Sequence, residues 1–415
     1  MGRFLIAFLA ALGVAASAVA QDSLNVRRLG HINLPTYAQA VAVVDTLAFL
    51  AGGGLQVVDI SDPYHPMVIG YFDTTEYVRD VAVVDTLAYL ASAYAGLTVV
   101  NISDLQAPIR VSSMITWDDA FGVAVTGSHS YIATYYWGLY GGLRVVNISD
   151  PTHPVWMGTC YTPQYARGVS VAANYAYMAD QLIGLAVINI SNPAAPAFVS
   201  GGLSITGAEE VVVVGNLVYM VAGIGGLRIA DISDPVSPAL VGFLDTPGYA
   251  TDLAVGGGFA YVADGEAGLR VIDISDPAVP AEVGFYNTAG SAEGVAVAAS
   301  IAYVAEGYHF GIYDCSAALS TPSSIIPHPS SYTLSAFPNP FNARTTISFD
   351  VPRAGQVELT VFDVTGRIAQ NLASRVYDAG EHSLVFDGTG LASGIYFVRM
   401  QSGEFAGTQK IVLLK

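Results

Sequence analysis

The chain is nearly free of lysine and poor in cysteine. Its 415 residues include only two lysines, Lys410 and Lys415, and two cysteines, Cys160 and Cys315. The formal net charge is −18 at pH 7, and no basic stripe is present to meet phosphates. The composition therefore excludes nucleic acid and anionic membranes as partners. The cysteines fall in separate repeats, so we expect two buried thiols and no disulfide.

Convincing helical periodicity is also absent after the N-terminus. Residues 1–20 combine an early arginine, a short apolar stretch and small residues at 18–20, which predicts a signal peptide cleaved before Gln21. Residues 211–227 form another long uncharged stretch, but Gly-Asn and Gly-Gly turns interrupt it. We therefore expect an exported chain with no integral membrane span.

In place of helices, one nine-residue phrase recurs seven times. Successive copies lie 42, 46, 42, 42, 42 and 41 residues apart. A repeat of this length is one supersecondary unit that cannot bury its own apolar surface and must stack on its neighbours. The copies read GLQVVDISD from Gly54, GLTVVNISD from Gly96, GLRVVNISD from Gly142, GLAVINISN from Gly184, GLRIADISD from Gly226, GLRVIDISD from Gly268 and HFGIYDCSA from His309.

Each repeat contains four short runs rich in Val, Ile and Tyr, separated by Gly-Asn, Gly-Gly and Asp-Pro turns, which predicts an antiparallel meander. The second run is made of small apolar residues, as expected for a strand covered on both faces. The third run pairs an alanine with an aromatic ring that would pack in the core. We therefore predict an all-β chain that begins with a seven-bladed β-propeller over residues 24–316. Residues 25–34 match the first run of later repeats and would complete the last blade.

The DISDP part of the phrase offers two carboxylates three residues apart, such as Asp59 and Asp62. A metal site is one interpretation of this pattern. However, the first position is asparagine at 101, 147 and 189, so the repeat tolerates loss of that charge. Asp and Asn share an oxygen that accepts hydrogen bonds from nearby backbone N–H groups. We therefore interpret both positions as turn caps.

The last hundred residues have a different character. Residues 317–335 are rich in serine and proline and lose the repeat, which predicts a semi-extended linker. Residues 336–415 return to short alternating strands, and this pattern predicts a small immunoglobulin-like β-sandwich. The expected strands are 345–351, 356–363, 381–386, 394–400 and 407–414.

Two family resemblances follow from these motifs. The GL-x-V-[VI]-[DN]-I-S-[DN]-P phrase resembles the LVIVD-repeat propellers, which are typically exported bacterial proteins of unknown role. Residues 336–415, with FPNPF, TTI, VFD, LASGIY and a final strand in order, resemble the type A sorting domain of the type IX (Por) secretion system. That resemblance implies the Sec export machinery, then the type IX machinery, and release or attachment at the outer cell surface; a plain accessory module is the alternative. The residues that would carry the sorting signal are Pro338, Asn339, Pro340, Gly366, Arg367, Ser393, Gly394, Tyr396, Lys410 and Lys415.

A binding function is expected where the repeats differ, because the strands are uniform and the loops are not. The loop at 134–142 is four residues longer than its counterparts, and it carries Tyr135, Tyr136, Trp137 and Tyr140. Such rings suit stacking on sugars or gripping a peptide, and the alternative is that they cover the blade edge. The inner positions around the predicted axis are Gln39, Arg79, Asp80, Phe121, Arg167, Glu209, Glu210, Thr251, Asp252 and Glu293, with Tyr37, Tyr77, Trp117, Tyr165 and Tyr249 beside them.

Three function classes stay open. The first is a module that binds an extracellular glycan or protein at this aromatic and acidic rim. The second is a hydrolase or lyase that uses the axial carboxylates, whose crowding would raise a carboxyl pKa or hold a divalent cation. The third is a structural component of a surface layer. The sequence contains no nucleophile elbow, zinc spacing or phosphate loop. We therefore expect a binding module with no catalytic residue, and no cofactor beyond that conceivable cation.

Overall fold

The computed structural model describes residues 22–74, 76–136, 140–163, 165–203, 205–320, 333–351, 355–364, 366–377, 380–402 and 405–414. The predicted signal peptide at 1–20, Trp137, Lys415 and residues 321–332 of the predicted linker lie outside these ranges. Within them the chain forms 36 strands and one five-residue helix, α1 (Ser316–Ser320). The all-β prediction is therefore confirmed.

The first 28 strands form the seven blades of a β-propeller, each an antiparallel meander that runs from the axis outward. Blade one contains β2 (Arg27–Val44), β3 (Leu47–Gly52), β4 (Gly54–Asp59) and β5 (Met67–Phe72). Blade two contains β6 (Asp80–Val84), β7 (Leu87–Ser92), β8 (Gly96–Asn101) and β9 (Ile109–Met114). Blade three contains β10 (Asp119–Thr126), β11 (His129–Tyr136), β12 (Tyr140–Asn147) and β13 (Val155–Thr162). Blades four and five contain β14 (Ala166–Ala172), β15 (Tyr175–Asp180), β16 (Gly184–Asn189) and β17 (Ala197–Leu203); β18 (Glu210–Val214), β19 (Leu217–Val221), β20 (Leu227–Asp231) and β21 (Ala239–Leu244). Blades six and seven contain β22 (Asp252–Gly256), β23 (Phe259–Ala263), β24 (Leu269–Asp273) and β25 (Ala281–Tyr286), with β1 (Ser23–Leu24) as an extra edge strand; and β26 (Gly294–Ala298), β27 (Ile301–Ala305) and β28 (Gly307–Asp314).

The ring is closed by β2, which belongs to two blades. Its first part pairs with β28, from Arg27 opposite Asp314 to Asn33 opposite His309, and supplies the outer strand of blade seven. Its second part pairs with β3 and forms the inner strand of blade one. The inner strands contact one another in sequence around the axis, and β26 returns to β2. The predicted seven blades and N-terminal closure are both confirmed.

The propeller core lies between the blades. Seven apolar clusters each combine buried side chains from two adjacent blades, one cluster at each blade–blade interface. The aromatic ring of the third run is buried in every blade, because it packs into the neighbouring sheet. It follows an alanine in five blades, Ser130 in blade three and Val218 in blade five. These rings are Phe49, Tyr89, Tyr131, Tyr177, Tyr219, Tyr261 and Tyr303.

The repeated phrase has a local structural explanation. Its first glycine has positive φ, as at Gly96 (+74°) and Gly226 (+69°), and a Cβ there would collide with the carbonyl of the adjacent outer strand. The acidic positions are turn caps: Asp59 accepts from Ser61 N at 2.9 Å, and Asp62 accepts from Tyr64 N at 3.0 Å. Asn101, Asn147 and Asn189 accept in the same way. The turn-cap interpretation is confirmed.

Both cysteines are buried free thiols, as expected from their positions in separate repeats. Cys160 lies on β13, and Cys315 follows β28. Burial raises the pKa of the Cys315 thiol to about 12. Neither thiol is therefore in a reactive form at neutral pH.

The C-terminal strands form two sheets around one apolar core that contains Phe341, Phe349 and Phe386. The five predicted strands are all present. The predicted linker has regular structure at both of its ends, in α1 and in the strand Thr333–Phe337, which the sequence analysis missed together with Phe341–Asn342. It also missed Ile368–Tyr377, whose largely exposed residues lie at a sheet edge and do not alternate between apolar and polar. The three-stranded sheet has the order β29 (Thr333–Phe337), β31 (Arg344–Val351) and β34 (Gly380–Asp387). The five-stranded sheet has the order β30 (Phe341–Asn342), β36 (Phe405–Leu414), β35 (Gly394–Ser402), β32 (Gly355–Asp363) and β33 (Ile368–Tyr377).

Candidate functional site

The inner strands of the propeller converge on a cavity at the axis of about 130 Å³. We call this the axial cavity. The sequence analysis named ten inner positions around the axis, and the structure brings all ten together, because each lies just before or at the start of an inner strand. The lining residues are Gln39, Ala40, Arg79, Asp80, Phe121, Arg167, Glu209, Glu210, Thr251, Asp252 and Glu293.

Three carboxyl groups of the axial cavity also join blades. Asp80 accepts from Val81 N at 2.7 Å and from Val123 N of the next blade at 2.8 Å. Asp252 likewise accepts from Leu253 N and from Val295 N of blade seven, both at 2.7 Å. Glu210 accepts from Val211 N at 2.8 Å, and its carboxyl group lies against Gly168 of blade four, where a Cβ would displace it. The first two carboxyls therefore hold adjacent inner strands in register.

Burial makes ionisation of these carboxyls costly. It raises the pKa of Glu210 well above its usual value, and the nearby negative charges of Asp252 and Asp80 add to the effect. Burial likewise raises the pKa of Asp252 to about 7, although two backbone N–H groups oppose the shift. The pKa of Asp80 is raised for the same reason. Burial and crowding therefore favour the protonated form of these carboxyls, most strongly at Glu210, which accepts one backbone hydrogen bond where Asp80 and Asp252 each accept two.

Replacement of Glu210 by glutamine is expected to stabilise the protein at alkaline pH and to change little at pH 5. The buried carboxyls have a higher pKa when folded than when unfolded, so the folded state binds more protons. Stability must then fall as the pH rises from about 4 through the folded values. Because Glu210→Gln removes one of the crowded charges, we expect its Tm at pH 8 to rise by about 3 °C. Thermal unfolding at both pH values measures this.

Glu266→Gln is a matched control for that experiment, since Glu266 is an exposed acid between β23 and β24. It should shift Tm by less than about 1 °C at either pH. A Glu210→Gln protein less stable than the parent at pH 8 would contradict a charge penalty at the axis.

Two arginines enclose one aromatic ring at the cavity. The guanidinium of Arg79 lies 4.3 Å from the Phe121 ring centroid, and that of Arg167 lies 5.1 Å from it. Arg167 pairs with the buried Glu209 at 3.0 Å, and Arg79 with Asp119 at 3.5 Å. Stacking on the ring and pairing with acids hold both cations in place. The sequence analysis did not include Asp119, although it lies two residues before Phe121, the inner position of blade three.

Two of the predicted tyrosines, Tyr37 and Tyr249, bond to acids that line the axial cavity, although none of the predicted tyrosines lines it directly. Tyr249 donates to Glu209 at 2.5 Å, and burial together with that carboxylate raises the Tyr249 pKa to about 12. Burial raises the pKa of Tyr77 to about 12. Tyr37 contacts Tyr77, with 6.4 Å between ring centroids, and also bonds to Glu293. These phenols stay neutral at any physiological pH and act as hydrogen-bond donors.

The aromatic loop of blade three differs from the expectation. Its four additional residues lengthen the β11–β12 hairpin, whose last pair is Tyr136 with Tyr140. For Tyr135 the structure agrees with the alternative that the ring covers the blade: it is 8% exposed and stacks on Tyr165, with 3.8 Å between centroids. Tyr136 is 39% exposed, the Tyr140 side chain is outside the described residues, and Trp137 is outside them altogether.

Trp117 lies apart from the axial cavity and is 81% exposed, with φ of +63°. It does not line the axial cavity.

A group of residues at the ring closure was missed. His31 and His309 stack with 5.0 Å between ring centroids, and His31 Nε2 lies 3.9 Å from Glu306 Oε2. The sequence analysis assigned no role to either histidine. Pairing of residues 25–34 with the last repeat, which was predicted, places them together. That pairing was the signal available in the sequence.

No metal centre is evident in the described ranges. Within them no group of three or more His, Cys, Asp or Glu side chains has an arrangement that could hold a metal ion. No helix among these residues has the length and apolar character required to cross a membrane.

The predicted sorting-signal residues hold the ends of the sandwich together. Asn339 donates to Lys410 O at 2.8 Å and accepts from Val412 N at 2.9 Å, which anchors the last strand. Pro340 follows a cis peptide bond, and the Pro338 carbonyl accepts from Thr345. Gly366, with φ of +79°, forms the turn that ends with Arg367 N bonded to Asp363. Tyr396 donates to Ala392 O at 2.9 Å. This bond spans Ser393 and Gly394, where the next strand begins.

Comparison with known structures agrees with the fold. A designed protein, Ika8, aligns with a TM-score of 0.51 at 10% identity over 69% of this chain and 99% of that chain. A chain of the Mitotic Checkpoint Complex aligns with a TM-score of 0.56 at 11% identity, over 75% and 98%. The WD40 β-propeller domain of Doa1 aligns with a TM-score of 0.57 at 8% identity, over 70% and 97%. Identities this low show likeness of fold alone.

Family models match both parts of the chain, whereas no curated protein sequence matches it. The LVIVD repeat model matches residues 35–74, 76–116, 118–162, 163–201, 207–246 and 247–288, more than half of the chain. The model finds six repeats and the structure has seven blades because the seventh is assembled from the two ends of the propeller. The model for a secretion system C-terminal sorting domain matches residues 335–414. The chain thus belongs to the LVIVD-repeat family, and it ends in a type IX sorting domain that directs it to the cell surface or the medium.

Proposed function

We propose that this exported propeller is a binding module whose axial cavity takes the ammonium group of an extracellular peptide. The observation that carries the proposal is the charge of the cavity lining, which has five carboxyl groups and two guanidinium groups. The guanidiniums are already paired, Arg167 with Glu209 and Arg79 with Asp119. Asp80, Glu210, Asp252 and Glu293 then supply the remaining negative potential. A primary ammonium group complements such a site.

The aromatic residues at the mouth support the same ligand. Tyr249 and Tyr37 bond to Glu209 and Glu293 of the cavity lining, and the ring of Tyr77 contacts that of Tyr37. Lysine side chains carry an apolar stem below their charge, and rings of this kind pack well against such stems. The volume of about 130 Å³ suits one side-chain terminus or one N-terminal amine and excludes a folded segment.

The raised carboxyl pKa values make the proposed binding depend on pH. A bound ammonium group favours the ionised carboxylates, so binding favours release of protons from these carboxyls. Lysine stays charged to about pH 10. The affinity should therefore increase between pH 5.5 and pH 8, through the region near 7 where Asp252 titrates.

The test uses fluorescein-labelled hexapeptides that differ only in one residue, which is lysine, acetylated lysine or glutamate. Anisotropy titration of the full chain should show binding of the lysine peptide and not of the other two. Glu293→Gln, at a half-buried position of the cavity, should weaken the lysine peptide about fivefold, as expected for loss of about 1 kcal/mol of charge attraction.

Glu266→Gln is again the matched control, because it removes an equal charge outside the cavity. It should leave the affinity unchanged. Equal binding of the acetylated peptide, or no binding of any peptide at pH 8, would reject the ammonium site.

The enzyme alternative rests on the raised pKa of Glu210, which is the property of a general acid. Turnover of a glycoside or polysaccharide substrate that Glu210→Gln abolishes would support a hydrolase or lyase. The structural surface-layer alternative is favoured by no particular contact among the described residues.

A further inference from the structure

The third residue of the repeated phrase, after Gly-Leu, is an arginine in three blades. These are Arg144, Arg228 and Arg270, and each pairs with an acid of the same face of its blade. Arg144 bonds to Asp118, and Arg228 lies 2.9 Å from Asp245. Each guanidinium also lies over a ring on the outer strand, at 5.3 Å from Trp156, 5.1 Å from Phe243 and 4.8 Å from Phe285. The arginine and the ring together fill the outer part of the blade.

Blade two lacks both of these side chains. The arginine position is Thr98, and its cross-strand partner is Ser113. In blades five and six the same cross-strand pairs are Arg228 with Phe243 and Arg270 with Phe285. The two small residues leave a cavity of about 310 Å³, which we call the blade-two cavity. It is separate from the axial cavity and shares no lining residue with it.

Other blades that lack the arginine fill this space with their own side chains. In blade one, Gln56 donates to Thr36 O and Tyr71 donates to Gly53 O. In blade four the pair is Ala186 with Gly201, and a Cβ at Gly201 would lie within 3.2 Å of Ile183 and Phe198. The open space in blade two is therefore not a general consequence of a small residue at this position.

The lining of the blade-two cavity is rich in hydroxyl groups. Ser92 is 1% exposed, and its Oγ has no hydrogen-bond partner among the described residues. In blade three the equivalent Thr134 bonds to Asp118, the acid that holds Arg144. A buried hydroxyl without a partner is unfavourable, so a polar group that enters the cavity and bonds to it gains this interaction. Thr98, Ser113 and the half-exposed Tyr94 contribute further oxygens.

The charges in this cavity balance. Glu76 stands 42 residues before Asp118 and therefore holds in blade two the place that Asp118 holds in blade three. Arg110 also lines the cavity, and its guanidinium is 5.8 Å from the Phe72 ring centroid. An arginine supplied by a partner would be repelled by the charge of Arg110, and an anion would be repelled by that of Glu76. A neutral ligand that both donates and accepts hydrogen bonds meets neither repulsion.

We propose that the blade-two cavity binds a neutral sugar residue of an extracellular saccharide. A sugar ring presents hydroxyl groups that donate and accept at once, which matches Ser92, Thr98 and Ser113 and the charged pair Glu76 and Arg110. Its C–H face packs on a ring such as Tyr94. The volume of about 310 Å³ accommodates one or two sugar residues. This proposal does not depend on the ammonium site at the axis.

The test fills the cavity with the pair that blade six carries. Thr98→Arg/Ser113→Phe reproduces Arg270 and Phe285, and Glu76 provides a carboxylate for the new guanidinium. The full chain is titrated with neutral oligosaccharides of two to six residues, namely glucans, xylans, mannans and chito-oligosaccharides, by calorimetry and on an array. At least one should bind the parent, and the filled variant should bind it at least about tenfold more weakly, because the site is occupied.

Arg167→Ala alters the axial cavity alone and is the matched control, with an unchanged sugar affinity expected. Arg110→Ala and Glu76→Gln change exposed side chains and give a second measure if the filled variant folds poorly. Free disaccharides that bind as well as longer chains would indicate a terminal or soluble sugar, whereas affinity that grows with length would indicate a polysaccharide. Absence of binding by every oligosaccharide, or undiminished binding by the filled and exposed-residue variants, would overturn the proposal.

Discussion

A mature chain that lacks residues 22–33 is expected to lose at least about 10 °C of Tm, or to fail to fold. This segment is the outer strand of blade seven, and it pairs with β28 over Arg27–Asn33. Its removal exposes the edge of β28 and uncovers Phe310 and Ile312, which pack in the cluster between blades seven and one. The burial of Val26, worth about 1.5–3 kcal/mol for a fully buried side chain, is also lost, together with the partial burial of Leu29 and Ile32. Against a typical total stability of about 5–15 kcal/mol, this loss is severe.

A shorter deletion provides the matched control. Residues 22–24 contain β1, which pairs only with the outer edge of blade six and takes no part in ring closure. Their removal should lower Tm by about 3 °C or less. Calorimetry of the three proteins makes the comparison, and a synthetic peptide of residues 22–34 should restore stability to the longer deletion. A longer deletion that melts within 3 °C of the parent would contradict closure by the N-terminal strand.

Deletion of residues 333–415 is expected to remove the protein from the cell surface and the medium and to leave it in the periplasm. The segment contains every strand of the sandwich, whereas all propeller sheets lie between Ser23 and Asp314. No strand is shared between the two sets of sheets in the described residues, so the propeller should stay folded. Immunoblots of periplasm, surface and medium fractions measure the distribution. Normal amounts of the truncated chain in the medium would show that another part of the chain directs it.

A point substitution refines this experiment. Asn339→Ala removes two hydrogen bonds to the last strand, at Lys410 O and Val412 N. Each bond to an ordinary backbone group contributes about 1 kcal/mol. Their loss weakens the attachment of the terminal strand, which keeps its backbone pairing with β35 and β30. We expect reduced delivery to the medium, with the exposed neighbour Asn342→Ala as the control. Equal delivery of both variants would show that the machinery does not depend on this anchor.

The repeat architecture was readable from the sequence because each blade is a local structure. The turn caps at Asp59 and Asp62 bond within two residues along the chain, and the strand order within a blade follows the order in sequence. The number of blades follows from counting the phrase. Closure was predictable because residues 25–34 match a repeat run that has no partner of its own. Strand Ile368–Tyr377 was missed because an exposed edge strand does not need apolar alternation.

The candidate sites were predictable to different degrees. The inner positions of the axial cavity were found, because they hold the same place in each repeat and seven-fold stacking must bring them together. The burial of Tyr135 could not be predicted from the sequence, because it depends on whether Tyr165 of the next blade stacks on its ring. The blade-two cavity was also missed, although the substitution of Thr98 for the arginine of three other copies is visible in the phrase itself.

The sequence by itself determined the blades, their number, the closing strand and the sorting domain, because each depends on patterns repeated within short segments. Only the tertiary structure decided which polar groups are buried and which spaces stay open. Three features result from contacts between residues far apart in the chain: Glu210 is buried, the Ser92 hydroxyl has no hydrogen-bond partner among the described residues, and Tyr165 stacks on Tyr135. Solvent exclusion is a property of the packed ring, and no single repeat contains that information.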